Sequence, residues 1–314
     1  MPSQSLFDRR LLVFSGKGGV GKSTITAATA IAAARRGKRV LIVEIGEHEK
    51  ISRLFRTPPV GYAGAVVYRP DGAPPITAVC ITAQEALREY GMRSVKFEMI
   101  YKAVFDNPVV RYFAAAAPGL EEMNLLGKIE SLHREVIAPA PRAAFDLMLL
   151  DAPATGHAIG FFQAPRMAMR MAAAGPIYDK IERMWKLVID PARTALNIVS
   201  LAEEMPVNES IELHRTTSEL GIPYGALIVN GVYPDVFPEG AAVLDALKGP
   251  TPLTRHIIGT AKSTVARRAE QDALIGRLSR SIPGPVITTP LIVCPRIEVQ
   301  DVELLAGYLE ALHG

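Results

Sequence analysis

The sequence predicts an α/β fold, a doubly wound, mostly parallel sheet with an inserted helical subdomain, and three observations lead there. Apolar runs at 11–14, 40–45, 145–150, 224–230 and 286–293 lack the alternation of a half-exposed strand and read as buried parallel strands. Helical stretches separate them, so at least five central strands alternate with helices. A glycine-rich segment, 15–21, joins the first run to an alanine-rich helix that extends from Ser23 to Arg36 and stops at Gly37.

Taken in order, strand 11–14, helix 23–36 and strand 40–45 make an opening βαβ unit. Residues 61–83 carry Gly and Pro around two short runs, 65–68 and 76–82, expected as irregular strands. From 84 to about 138 the periodicity becomes helical, with Met99, Ile100, Ala103 and Val104 grouped on one face; a second helical stretch is expected at about 158–205. Strand 145–150 ends at Asp151. The 24 prolines are scattered and no repeat appears, so residues 1–314 are expected to form one domain carrying the helical insertions.

Composition excludes several classes. Hydrophobic residues at 49% and charged residues at 21% describe a folded globular chain, not a collagenous or disordered one. With 35 Lys+Arg against 32 Asp+Glu, charge gives no reason to expect nucleic acid or a membrane surface as partner. No apolar run is long enough to span a bilayer and the N-terminus has no leader pattern, so the expected location is cytoplasmic. Cys80 and Cys294, both in apolar runs that read as strands, are expected to be reduced, and two cysteines cannot build a four-cysteine metal site.

The strongest chemical signal is Gly16-Lys17-Gly18-Gly19-Val20-Gly21-Lys22-Ser23, which satisfies G-x-x-x-x-G-K-[ST] between a strand and a helix. Its glycines let backbone N–H groups converge on phosphate oxygens, and the helix beginning near Lys22 adds its positive end. Lys22 is expected on the β and γ phosphates, Ser23 on Mg²⁺, and Thr24 among the nucleotide-binding residues. Asp151, at a strand end, can hold a Mg²⁺-bound water. Asn230, in Ile228-Val229-Asn230-Gly231, offers an amide suited to a purine edge. The implied fold is a P-loop NTPase and the implied cofactors are ATP and Mg²⁺.

Lys17 to Ser23 match K-G-G-x-G-K-[ST], and here the chain resembles the deviant Walker A group of P-loop ATPases. In that group the extra lysine reaches a partner's ATP, which assigns Lys17 to a nucleotide-sandwich dimer. The segment Asp151-Ala152-Pro153-Ala154-Thr155-Gly156-His157 resembles the D-T-A-P-T-G-H switch of the ArsA and tail-anchored-protein targeting ATPases, with Ala-Pro-Ala in place of Thr-Ala-Pro. In that family the segment senses the γ-phosphate and couples it to the helical subdomain. By the same resemblance Asn230 reads adenine, and 295–299, with Pro295 and Ile297, closes over the base.

Three departures qualify the likeness. Gly46 stands where family members place the Asp that positions attacking water, which implies slow hydrolysis; Glu44 or Glu47 could replace it, and Glu47 is the expected catalytic residue. The zinc-binding C-x-x-C pair of the targeting factors is missing, and so is the cysteine set that binds arsenite. Ile177, Ile181, Met184, Trp185 and Val188 form an apolar helical stripe near Met167, Met169 and Met171. An apolar stripe is more often core or dimer contact; the resemblance offers a groove for a client's hydrophobic helix as the other reading.

The expectation is a dimeric Mg-ATP switch ATPase, working as a homodimer or with a paralogous ATPase and acting as a chaperone if the groove exists. A ParA/MinD-like positioning ATPase is a second reading, disfavoured because 299–314 holds Asp301, Glu303 and Glu310 and no Lys or Arg. A third is a nucleotide-sensing subunit that does not hydrolyse, which Gly46 makes credible.

Overall fold

The first strand is buried at every position, as a strand paired on both edges and covered on both faces must be. The computed structural model describes residues 5–94, 119–136, 144–171, 174–236 and 241–310. It places β1 (Leu11–Gly16) in an eight-stranded sheet with β2 (Val40–Ile45), β3 (Ala65–Tyr68), β4 (Ile76–Ile81), β5 (Leu147–Ala154), β6 (Thr194–Leu201), β7 (Tyr224–Val232) and β8 (Val286–Pro290). The order is β3-β4-β2-β5-β1-β6-β7-β8, parallel throughout except for the antiparallel edge pair β3–β4.

The helices among the described residues are α1 (Lys22–Arg35), α2 (Ile51–Leu54), α3 (Ala83–Ser94), α4 (Leu120–Val136), α5 (Thr155–Met171), α6 (Pro176–Ile189), α7 (Glu204–Glu219), α8 (Ala241–Ala246), α9 (Pro252–Ser281) and α10 (Val299–Leu309). Alternate strand residues point to opposite faces and build two cores. Leu12, Phe14, Ile42 and Leu149 meet the alanines of α1 and Val302, Leu305 and Leu309 of α10. Leu11, Val13, Val43 and Leu150 meet Leu126 and Ile129 of α4, Phe161 and Phe162 of α5, Met184 of α6 and Leu213 of α7. Small side chains along α1 let it lie close to the sheet, and its residues 25–34 are all buried.

The doubly wound sheet agrees with the expectation, and three details differ. β5 continues to Ala154, so Asp151 lies inside a strand rather than at its end. The last strand stops at Pro290, not 293, because proline cannot donate to a ladder; Cys294 therefore sits on a half-buried loop. Within the stretch 158–205 expected to be helical, Thr194–Leu201 is β6, paired with both β1 and β7. The stripe on α6 is largely core: Ile181, Met184 and Val188 are buried, and Ile177 alone of the five is exposed, at 67%. The face grouped around Met99 to Val104 lies outside the described residues.

The β6–β7 pairing contains an irregularity that a side chain repairs. Register shifts between Leu196 and Ile198, and Asn197, fully buried, accepts a hydrogen bond from the Ala226 N–H at 3.2 Å. A Cβ on Gly225 would come within 2.5 Å of the Asn197 Oδ1. Asn197→Ala is expected to destabilise the fold by about 2 kcal/mol, the cost of an orphaned buried amide. Gly225→Ala is expected to destabilise by about 1–3 kcal/mol through overpacking, and by less when Asn197 is already Ala. Urea unfolding midpoints of the two single variants and the double variant check both.

Candidate functional site

The site begins where β1 runs out. Gly16 has a φ of +156°, and a Cβ there would lie 2.0 Å from the Val199 carbonyl oxygen, so the turn leaves β1 against β6 at a point where only glycine fits. Gly18 and Gly19 face open space, while a Cβ on Gly21 would meet the Asn230 Nδ2 at 2.3 Å. Gly21 is the N-cap of α1; no side chain caps the helix and no acidic residue stands in its first turn. The first N–H groups of α1 are left for an anion.

Lys22 folds back across this turn, its Nζ donating to the carbonyls of Gly16 at 3.0 Å and Lys17 at 2.9 Å. Burial lowers its pKa; the charge of Asp151 opposes that shift, Lys50 adds to it and Glu209 opposes it. Ser23 Oγ donates to Asp151 Oδ2 at 2.5 Å. The other Asp151 oxygen is buried with no hydrogen-bond partner among the described residues. An unpartnered carboxylate oxygen beside a serine hydroxyl suits a hydrated divalent cation, so these residues fit Mg²⁺.

A second carboxylate lies across the sheet. Glu44 of β2 stands in register with Asp151 of β5 and is 2% exposed. Its Oε1 accepts from the Lys50 N–H at 2.7 Å and its Oε2 from the Ile51 N–H at 3.2 Å, which ties the start of α2 to the sheet. Burial pushes its carboxyl up to about 7 against the pull of these two N–H groups. Burial also raises the Asp151 carboxyl, with Ser23 opposing. Glu47 is exposed and makes no hydrogen bond or ion pair among the described residues. Gly46 has a φ of +135°, with its N–H bonded to the Ile81 carbonyl and its own carbonyl accepting from Cys80 Sγ.

An open cleft of about 530 Å³ lies over the turn. Of the residues expected from the sequence, Gly19, Gly21, Lys22, Ser23, Thr24 and Ile297 line it, while Gly16, Lys17, Gly18, Val20, Glu47, Asp151, Asn230 and Pro295 do not. Three cations that the sequence gave no reason to group, Lys50, Arg53 and Arg296, line it too. Asn230 holds the turn from below: its Nδ2 donates to the Val20 carbonyl at 3.0 Å, and its Oδ1 accepts from the Thr289 hydroxyl at 2.9 Å.

The Lys17 side chain takes a separate partner. Its ammonium donates to Glu209 of α7, whose second oxygen accepts from the Thr155 hydroxyl at 2.6 Å. The Lys17 hydrogen bond, then that of Thr155, hold the Glu209 carboxyl below the ordinary glutamate range. Glu209 thus links the glycine-rich turn to the first residue of α5, and nothing in its sequence surroundings marks it out. His157, in the same helix turn as Thr155, is exposed. Among the described residues no helix is long and apolar enough to cross a membrane, and no group of three His, Cys, Asp or Glu could hold a metal.

Comparison with known proteins adds to this geometry. The sequence model of the anion-transporting ATPases known as ArsA matches residues 9–174 and 167–248. ATPase BagA of Mycobacterium tuberculosis H37Rv is 32% identical over 222 residues, 70% of this chain and 64% of that protein. The arsenical pump-driving ATPase of Acidiphilium multivorum is 27% identical over 252 residues, 75% of this chain and 42% of the relative. That of Escherichia coli is 27% identical over 239 residues, 71% and 39% respectively. The chain therefore spans 64% or less of the length of each of these relatives.

Glu44 gives this site a stability signature. Its pKa is 4.5 when solvated and about 7 in the fold, so the folded state holds the extra proton between those values. Its contribution is complete below about pH 4.5 and lost as pH rises through about 7. The thermal midpoint of the native chain minus that of Glu44→Gln is expected to fall across that window; a difference that stays flat with pH contradicts the burial argument.

Proposed function

Because the chain belongs to the ArsA family of anion-transporting ATPases, we propose that it is a dimeric Mg-ATP switch, in which ATP binding and slow hydrolysis move a helical subdomain. The observation that carries the reading is the Ser23–Asp151 pair with its unpartnered carboxylate oxygen, set beside an uncapped helix start. Ser23 and Asp151 would hold Mg²⁺, which supplies charge to the terminal phosphates. The open N–H groups of α1 and the Lys22 ammonium bind the phosphate chain, and Ile297 borders the same cleft.

Support for the switch comes from Glu209. In this conformation one carboxylate holds both Lys17 and Thr155. Release of Lys17 toward a nucleotide, in the same dimer as the resemblance implies, frees the start of α5 at the same moment. α5 packs on α6 and α4 through the second core, so the switch reaches the helical layer directly. Exposed Met167, Met171 and Ile177 are the part of that layer open to a protein client or partner, and a cytoplasmic location accords with this role. Asn230 positions the phosphate-binding turn in this conformation, and reading of adenine by its amide is part of the proposal.

Gly46 favours one further reading, a subunit that binds nucleotide without turning it over, since its backbone leaves no carboxylate at that point. Glu47, exposed nearby, is the candidate to orient water in the hydrolysing form.

Light scattering with ADP and then with Mg-ATP tests the dimer. The mass is expected to rise from 33.9 kDa to twice that with ATP, and to stay at one chain for Lys17→Ala. Phosphate release is expected to be slow and Mg²⁺-dependent, and to fall about a hundredfold or more in Lys22→Ala. One-chain mass under both nucleotides sinks the homodimer, and nucleotide binding without phosphate release selects the sensing subunit.

A further inference from the structure

The segment after Gly46 brings positive charge to the cleft. Lys50 and Arg53 line it together with Gly19, Gly21 and Lys22. Their backbone is fixed from two sides. Glu44 takes the Lys50 and Ile51 N–H groups, and Glu49 takes those of Val60 and Gly61, both at 2.7 Å. The side chains are not fixed: Lys50 and Arg53 are exposed, and neither forms an ion pair among the described residues.

Where Lys50 acts is shown by its neighbours. Its N–H is held by Glu44, which stands in register with Asp151, and this is the end of the site where Ser23 and Asp151 would hold a cation, whereas Arg296 stands beside Ile297. Lys22 and Lys50 line the same cleft and Lys50 forms no ion pair among the described residues, so an anion between them offsets their like-charge repulsion. The inner phosphates already have the helix start and Lys22. What remains for Lys50 is the outermost charge.

Resting on the nucleotide-site reading above, we propose that Lys50, seconded by Arg53, contacts the terminal phosphate and makes this site select nucleoside triphosphate over diphosphate. The segment that lacks a carboxylate at position 46 then contributes binding charge in place of a water-orienting group. Tight triphosphate binding and slow turnover follow from the same stretch of chain.

Calorimetric titration with ATP and with ADP in excess Mg²⁺ tests it. Lys50→Ala is expected to weaken ATP binding about tenfold, the size of one charge-assisted contact, and ADP binding less than about twofold. Lys50→Arg should restore most of the preference, and Arg53→Ala should show a smaller loss confined to ATP. The Lys50 side chain is exposed, so the thermal midpoints are expected to stay unchanged. Equal weakening for both nucleotides, or none for either, overturns the proposal while leaving the nucleotide site intact. Failure of the native chain to bind either nucleotide overturns the underlying reading instead.

Discussion

Two hydrogen-bonded edges hold β1 between β5 and β6, and the loop that leaves it can begin at one place only. The backbone of Gly16 passes so close to Val199 that a side chain has no room, which fixes the direction of the turn before any ligand arrives. The same pairing puts Asp151 of β5 beside Phe14, one short turn from Ser23, and puts Glu44 on the far side of Asp151. Three separate stretches of sequence thus converge because their strands are neighbours. Ligands of open parallel sheets sit beyond the carboxyl ends of the strands, and this site obeys that rule.

The electrostatics divide into two layers. Below the cleft lie two buried carboxylic groups, Asp151 and Glu44, both driven toward the protonated form by burial. Above it stand Lys22, Lys50, Arg53 and Arg296. A net charge of +3 over the whole chain hides this arrangement, since local fields depend on placement and not on totals.

Much of this was legible in the sequence, for physical reasons that differ by element. The turn from Gly16 to Ser23 carries its own constraints, since glycine spacing and a lysine-serine pair have few other uses in a strand-to-helix context. β2 and β3 matched their apolar runs residue for residue. β6 escaped because Asn197 and Ser200 break its apolar run, and those polar residues are there for buried hydrogen bonds that no local pattern announces. The stripe on α6 was visible as a stripe, but periodicity says which face is apolar and not what covers it. Lys50, Arg53, Arg296 and Glu209 were invisible as a group: each is an ordinary surface charge until the sheet order brings its element to the turn.

Gly46 limits what its own position can hold. Its φ of +135° lies in a region that side chains avoid at a cost of about 1–3 kcal/mol, and both its backbone groups are committed, one to β4 and one to Cys80. An acid installed at position 46 has to adopt that backbone or break the pairing that holds it, so a carboxylate cannot be added there without a cost in stability.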